Sequence, residues 1–151
     1  MNPRFDELEQ TEKIERVTVA QGDVVRLHGV VDRDLATAES LQEANRDWSL
    51  AIAYNSMLQA CHALMAAHGY RARGENQHRT TIEFAAAATP EAEELLDKLN
   101  RIRRRRHRAV YDVAGQVSAS EVEEVLTLAR KLVPILKDTA TRQLANAQPG
   151  P

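Results

Sequence analysis

The chain has 151 residues, of which 28% are charged, and a formal net charge of −2 at pH 7. This near-neutral balance excludes a general affinity for nucleic acids, so any site for a polyanion must be local. The single cysteine, Cys61, excludes an intramolecular disulfide, and its apolar neighbours predict a place in the core. No apolar stretch is long enough to span a bilayer, so we expect a soluble, cytoplasmic protein without a membrane partner.

The composition favours helices. Hydrophobic residues make up 43% of the chain but aromatic residues only 4%, helix formers dominate, and runs of β-branched residues are scarce. This predicts an all-α fold, an up-and-down bundle of about five helices. We expect an N-terminal extension over residues 1–22 that packs weakly, one helical domain over residues 23–144, and a disordered tail over residues 145–151.

Apolar spacing places the first helices of the domain. Apolar residues that recur at three- and four-residue steps predict one amphipathic helix over residues 23–45. Residues 48–68 are apolar on most sides, which is typical of a central helix surrounded by others, and Gly69 suits the position after its end. Two glycines and the lack of an apolar period predict an exposed loop over residues 69–77, followed by a short helix over residues 78–88.

The second half of the chain contains two longer helices. Thr89-Pro90-Glu91 is a strong helix start, and the helix that follows is predicted to run to about Ala114. Ser120 and Glu123 have the spacing of a capping box for a last helix. Pro134 should kink that helix or end its regular part.

Six arginines and one histidine lie within residues 101–108. When successive residues are placed at 100° intervals around a helix, Arg106 lies at the centre of the apolar stripe, between Leu99 and Val110. Arg103 lies just off the centre of the stripe, His107 at its edge and Tyr111 beyond it. The opposite, solvated half of the helix holds Arg101, Arg104, Arg105 and Arg108. The run therefore divides into surface arginines and a smaller set that faces inward or into a cleft.

Arg106 needs a partner, because an unpaired guanidinium on an apolar face is costly. The partner is either a carboxylate, from Asp112, Asp47 or another chain, or a bound phosphate, whose oxygens suit the planar guanidinium. His107 is either a general acid or base at neutral pH or an exposed surface histidine. Tyr111 either donates to a phosphate or packs at the helix edge.

The rest of the sequence carries little site chemistry. The five histidines and Cys61 do not form a metal-ligand pattern, and no phosphate-binding glycine loop is present. We therefore expect no metal and no cofactor. His78, at the start of its helix, is better explained by a helix-terminus role than by a place near the arginine cleft.

Two segments resemble the HEPN domain family, prokaryotic helical domains found in toxin–antitoxin and phage-defence systems. The first, over residues 47–64, is a helical pattern, and the second, over residues 99–112, includes Arg106-His107 and Tyr111-Asp112. The resemblance covers roughly residues 24–136. It implies a homodimer whose paired helices form a composite cleft, where the ribose 2′-hydroxyl attacks its phosphate and RNA is cleaved without a metal.

The resemblance also implies roles for individual residues. Active members carry an Arg, often followed by a polar residue, and a His a few residues further on. His107 then takes the polar position, and Tyr111 stands where the catalytic His is expected. A second register, Arg101 with His107, is disfavoured because Arg101 points away from the apolar stripe.

The implied site consists of two sets. The catalytic set is Arg106, His107 and Tyr111, and the RNA-binding set is Arg103, Arg104, Arg105 and Arg108. The implied partners are a second copy of the chain, RNA, and a cognate antitoxin or toxin protein. Two alternatives stay open: a catalytically degenerate module that acts as antitoxin or interaction subunit, and a structural protein whose arginine helix buries ion pairs at a dimer interface.

Overall fold

The computed structural model describes residues 2–111 and 117–147, with the backbone alone for residues 106–111. Over these residues the chain is a helical bundle with one small sheet, which confirms the predicted all-α fold. In chain order the elements are α1 (Pro3–Gln10), β1 (Ile14–Arg16), α2 (Gln21–Ser40), α3 (Arg46–Ala67), β2 (Tyr70–Ala72), α4 (Gln77–Ala88), a 3-10 turn (Pro90–Ala92), α5 (Glu93–Tyr111) and α6 (Ala119–Ala147).

The centre of the bundle is α3, as its apolar sequence predicts. It contacts α2, α4, α5 and α6, and both Cys61 and Leu64 on it are fully buried. Its two buried serines are satisfied by the backbone of α2. The Ser49 hydroxyl donates to the Ala38 carbonyl at 2.6 Å, and the Ser56 hydroxyl donates to the Val31 carbonyl at 3.1 Å. These bonds let α3 pack closely against α2 without leaving the two buried hydroxyls unpaired.

The prediction that the N-terminal segment packs weakly is wrong. Phe5, Leu8 and Ile14 are buried in a second core cluster, where the Phe5 ring stacks on Phe84 of α4 with 4.1 Å between centroids. The three apolar residues are separated by charged ones, so the sequence pattern does not reveal them. Their partners come from distant parts of the chain, which a local pattern cannot identify.

Part of the predicted loop after α3 is a strand. Strand β2 pairs antiparallel with β1, and Ile14 lies opposite Ala72. Each strand has only three residues, too few to show an alternating pattern. Gly69 adopts φ +83°, the left-handed conformation expected of the residue after a helix end. The pairing ties the N-terminal segment to the chain that leads into α4.

The ends of the last helix differ from the prediction. The capping box is formed by Ser118 and Glu121 rather than by Ser120 and Glu123: the Ser118 hydroxyl accepts from the Glu121 N–H at 3.1 Å, and the Glu121 carboxylate accepts from the Ser118 N–H at 3.4 Å. Both pairs fit the same sequence pattern. Pro134 lies inside α6 and does not end it.

The helix bounds also shift at other places. Helix α2 ends at Ser40 rather than near residue 45, and α6 continues to Ala147, so residues 145–147 of the predicted tail are helical. The predicted end of the arginine helix near residue 114 and the tail residues 148–151 lie outside the described residues. None of the described helices combines the length and hydropathy needed to cross a bilayer.

Candidate nucleic-acid interface

The apolar stripe of α5 packs into the core as predicted. Leu96, Leu99 and Ile102 are buried, with at most 1% of each residue exposed. Arg101 and Arg104 are exposed, as predicted for the solvated half of the helix. The predicted residues Arg106, His107, Arg108 and Tyr111 continue the α5 backbone, but their side chains lie outside the described residues.

Arg103 and Arg104 line an open groove of about 730 Å³, here called the first groove. Its other wall is Gly74 and residues 76–79, where the chain enters α4. The wall is held by the small sheet, since the Arg73 N–H donates to the Lys13 carbonyl at 2.9 Å. The first groove therefore joins the arginine helix to the start of α4.

Three arginines reach the first groove with different partners. Arg103 is half-buried, and its Nε–H donates to Asn100 Oδ1 at 3.0 Å, which orients the guanidinium. The Nε–H of Arg79 donates to Glu83 at 3.0 Å, one turn later on α4. Arg104 has no carboxylate partner among the described residues. The contacts of Arg103 and Arg79 use Nε alone, so the outer guanidinium nitrogens of all three arginines face no carboxylate of the described residues and are available for an anion.

The first turn of α4 adds to the positive field. Asn76 adopts a left-handed conformation with φ 58°, and no described side chain caps the helix start. The first N–H groups of a helix carry a partial positive charge and favour anions. A basic residue at this turn, Arg79, is the reverse of the usual preference for carboxylates there. Arg79 is thus the sequence signal for this wall, and apolar periodicity alone does not reveal it.

His78 is held at the same wall by a buried tyrosine. The Tyr54 hydroxyl lies 3.5 Å from His78 Nδ1, and Tyr54 is 1% exposed on α3. The imidazole therefore has a fixed neighbour on one side while it lines the groove on the other. The predicted helix-terminus position of His78 is correct, and this terminus lies beside the arginines.

Arg105 has a different environment from its neighbours. It is half-buried, and its guanidinium makes a two-point ion pair with Glu124 of α6, at 3.2 and 3.4 Å. The pair lies in a second groove of about 450 Å³, which Arg104 also lines. The structure thus divides the described part of the predicted RNA-binding set: Arg103 lies in the first groove, Arg105 in the second, and Arg104 between them.

Burial shifts the pKa of three side chains of α3 and its C-terminal end, none of which lines either groove. Burial raises the pKa of the Cys61 thiol to about 12 and lowers the pKa of His62 and His68. Within the described ranges, no group of three or more His, Cys, Asp or Glu side chains could hold a metal ion. The expectation that the protein uses no metal and no cofactor stays a prediction.

Comparison with protein families gives a match over most of the chain. A family model described as HEPN domain matches residues 32–139, which include both grooves and most of the bundle. The buried N-terminal segment lies before the matched region. No curated protein sequence matches the chain.

Proposed function

The chain belongs to the HEPN domain family, and from that membership we propose that it binds RNA, as a component of a bacterial toxin–antitoxin or defence system, and cleaves it without a metal ion. The observation that carries this proposal is the first groove. Arg103, Arg104 and Arg79 meet there beside the uncapped start of α4, in a chain whose net charge is only −2.

RNA suits this groove because its backbone supplies a phosphate at every nucleotide. A guanidinium offers several N–H donors in one plane and binds phosphate oxygens at two points. When arginine side chains neutralise RNA phosphates, the counterions condensed on the RNA are released, so the affinity falls steeply as the salt concentration rises. The three arginines lie together at one groove, while the chain as a whole has a net charge of −2, so we expect RNA to bind there and not over the whole protein.

Cleavage would take place where the α5 helices of two copies meet. In this proposal the ribose 2′-oxygen attacks the neighbouring phosphorus and gives up its proton, while the bond from phosphorus to the 5′-oxygen breaks and that oxygen takes a proton. The products are a 2′,3′-cyclic phosphate and a 5′-hydroxyl. His107 is the proposed acid and base, Arg106 stabilises the negative charge on the non-bridging phosphate oxygens, and Tyr111 donates to a phosphate oxygen.

The cleavage proposal is tested with purified full-length protein and end-labelled RNA in excess EDTA. We expect fragments that end in a 2′,3′-cyclic phosphate, and at least a hundredfold slower cleavage by His107→Ala, because proton transfer typically contributes that much. Arg26→Ala, an exposed arginine of α2 prepared in the same way, should cleave like the wild type. Equal cleavage by His107→Ala and wild type would eliminate the role of His107.

The binding proposal is tested separately by fluorescence anisotropy with a 2′-O-methyl oligonucleotide, which lacks the attacking hydroxyl. Arg104→Ala should weaken binding and reduce the salt slope by about 0.7 for one lost phosphate contact on a single strand. Arg26→Ala again serves as the matched control. If both variants bind like the wild type, the first groove is not the RNA surface.

Tyr111 favours a second candidate function. It occupies the position where the family resemblance places a catalytic histidine, and a phenol is a poor base near pH 7. The alternative is a degenerate HEPN module that acts as antitoxin or interaction subunit. It predicts no cleavage by the wild type, together with RNA or protein binding that weakens in Arg106→Ala. Light scattering of the full chain would test the homodimer that the composite cleft requires.

A further inference from the structure

The second groove is a basic site next to the first one. Its described lining consists of four cations and one carboxylate: Lys98, Arg101, Arg104, Arg105 and Glu124. Lys98, Arg101 and Arg104 make no ion pair with any carboxylate of the described residues, while Arg105 is paired with Glu124. The groove therefore has an excess of positive charge that its own side chains do not neutralise.

The Arg105–Glu124 pair has the geometry that an arginine uses to hold a phosphate. The two outer nitrogens of the guanidinium lie 3.4 and 3.2 Å from the two carboxylate oxygens. A fork of this kind accepts two oxygens of a carboxylate or two oxygens of a phosphate. The side chain of Glu124 is 55% exposed and that of Arg105 is 28% exposed, so the carboxylate can leave without uncovering the core.

The geometry points to a second phosphate subsite, in which an RNA phosphate displaces the Glu124 carboxylate from Arg105. This inference rests on the proposed RNA binding and extends it beyond the first groove. Arg104 lines both grooves, so one strand can pass from the first groove to the second without leaving a positive surface. The basic residues from Lys98 to Arg105 span about 10 Å along α5, which suits a short single-stranded segment.

Displacement of Glu124 by a phosphate distinguishes this subsite from a simple basic patch. Glu124 competes with RNA for Arg105, so removal of its charge should strengthen binding instead of leaving it unchanged. An exposed ion pair shifts an equilibrium by up to about fivefold, so the competition is modest. Without this competitor, Arg105 contacts the phosphate in a larger share of the complexes, so the salt slope steepens by up to about 0.7 on a single strand.

The test compares Glu124→Gln with Glu123→Gln in the anisotropy assay with the 2′-O-methyl single strand. The two variants lose the same charge at adjacent positions, but the Glu123 carboxylate contacts Arg130 and Gln42 instead of an α5 arginine. We expect about two- to fivefold tighter binding and a steeper salt slope for Glu124→Gln, and a wild-type slope for Glu123→Gln. Far-UV circular dichroism verifies that both variants keep their helices.

Two further variants locate the effect in the second groove. Arg105→Ala should abolish the gain when combined with Glu124→Gln, and alone should change the affinity little. Lys98→Ala leaves the ion pair intact and should weaken binding about two- to fivefold with a shallower slope. Equal effects of Glu124→Gln and Glu123→Gln would overturn the second subsite alone. If the wild type does not bind the oligonucleotide, both the subsite and the proposed RNA binding are wrong.

Discussion

Replacement of Phe5 by alanine tests whether the N-terminal segment is part of the folded domain. Phe5 is 9% exposed, and its ring is nearly parallel to that of Phe84, at 7° between the planes. The same ring lies edge-on to His68, with 5.3 Å between centroids. The substitution removes the ring contacts that α1 makes with Phe84 of α4 and with His68, the residue after α3.

The expected loss follows from the buried ring. Burial of a phenylalanine side chain contributes about 1.5 to 3 kcal/mol, and loss of a core phenylalanine costs about 3 to 5 kcal/mol once the cavity is included. Helix α1 has only eight residues and can move into part of the cavity. We therefore expect Phe5→Ala to lower the free energy of unfolding by about 3 kcal/mol, the lower end of that range.

Urea unfolding followed by far-UV circular dichroism measures this loss. Trp48 is 59% exposed, so its fluorescence would report the transition poorly. The control is Val25→Ala, since Val25 is 62% exposed on α2 and should change stability by less than about 0.5 kcal/mol. If Phe5→Ala unfolds at the same urea concentration as the wild type, the N-terminal segment adds nothing to the stability of the domain.

Three further predictions concern the core and the last helix. Burial lowers the pKa of His62 and His68 in the folded protein, so the unfolded chain binds protons first as the pH falls. The urea concentration at the midpoint of unfolding should therefore decrease below about pH 6.5, and an increase would contradict this prediction. Ser118→Ala should lower the free energy of unfolding by about 1 kcal/mol, and Ser120→Ala by clearly less, because only Ser118 caps α6. The thiol of Cys61, fully buried with its pKa raised to about 12, should react with a soluble disulfide reagent at pH 8 only after unfolding.

The sequence by itself determined which helix is central and which face of the arginine helix is apolar. Residues of α3 are apolar on most sides, which is typical of a helix surrounded by others, and Leu99 and Ile102 recur on one side of α5. Periodicity is a local property, so it can be read from neighbouring residues. The same reasoning predicted the inward position of Arg106, while the roles of His107 and Tyr111 came from the family resemblance; all three stay predictions because these side chains lie outside the described residues.

Only the tertiary structure decided which faces meet. Phe5 stacks on Phe84, Arg79 lies across a groove from Arg103, and Arg105 is held by Glu124 of the following helix. Each of these pairs joins different elements of the bundle, and their contact depends on how the helices pack and on the β1–β2 pairing that holds the start of α4. A pattern of spacing along one helix gives the direction of a side chain, but the partner it meets is set by packing among all the elements.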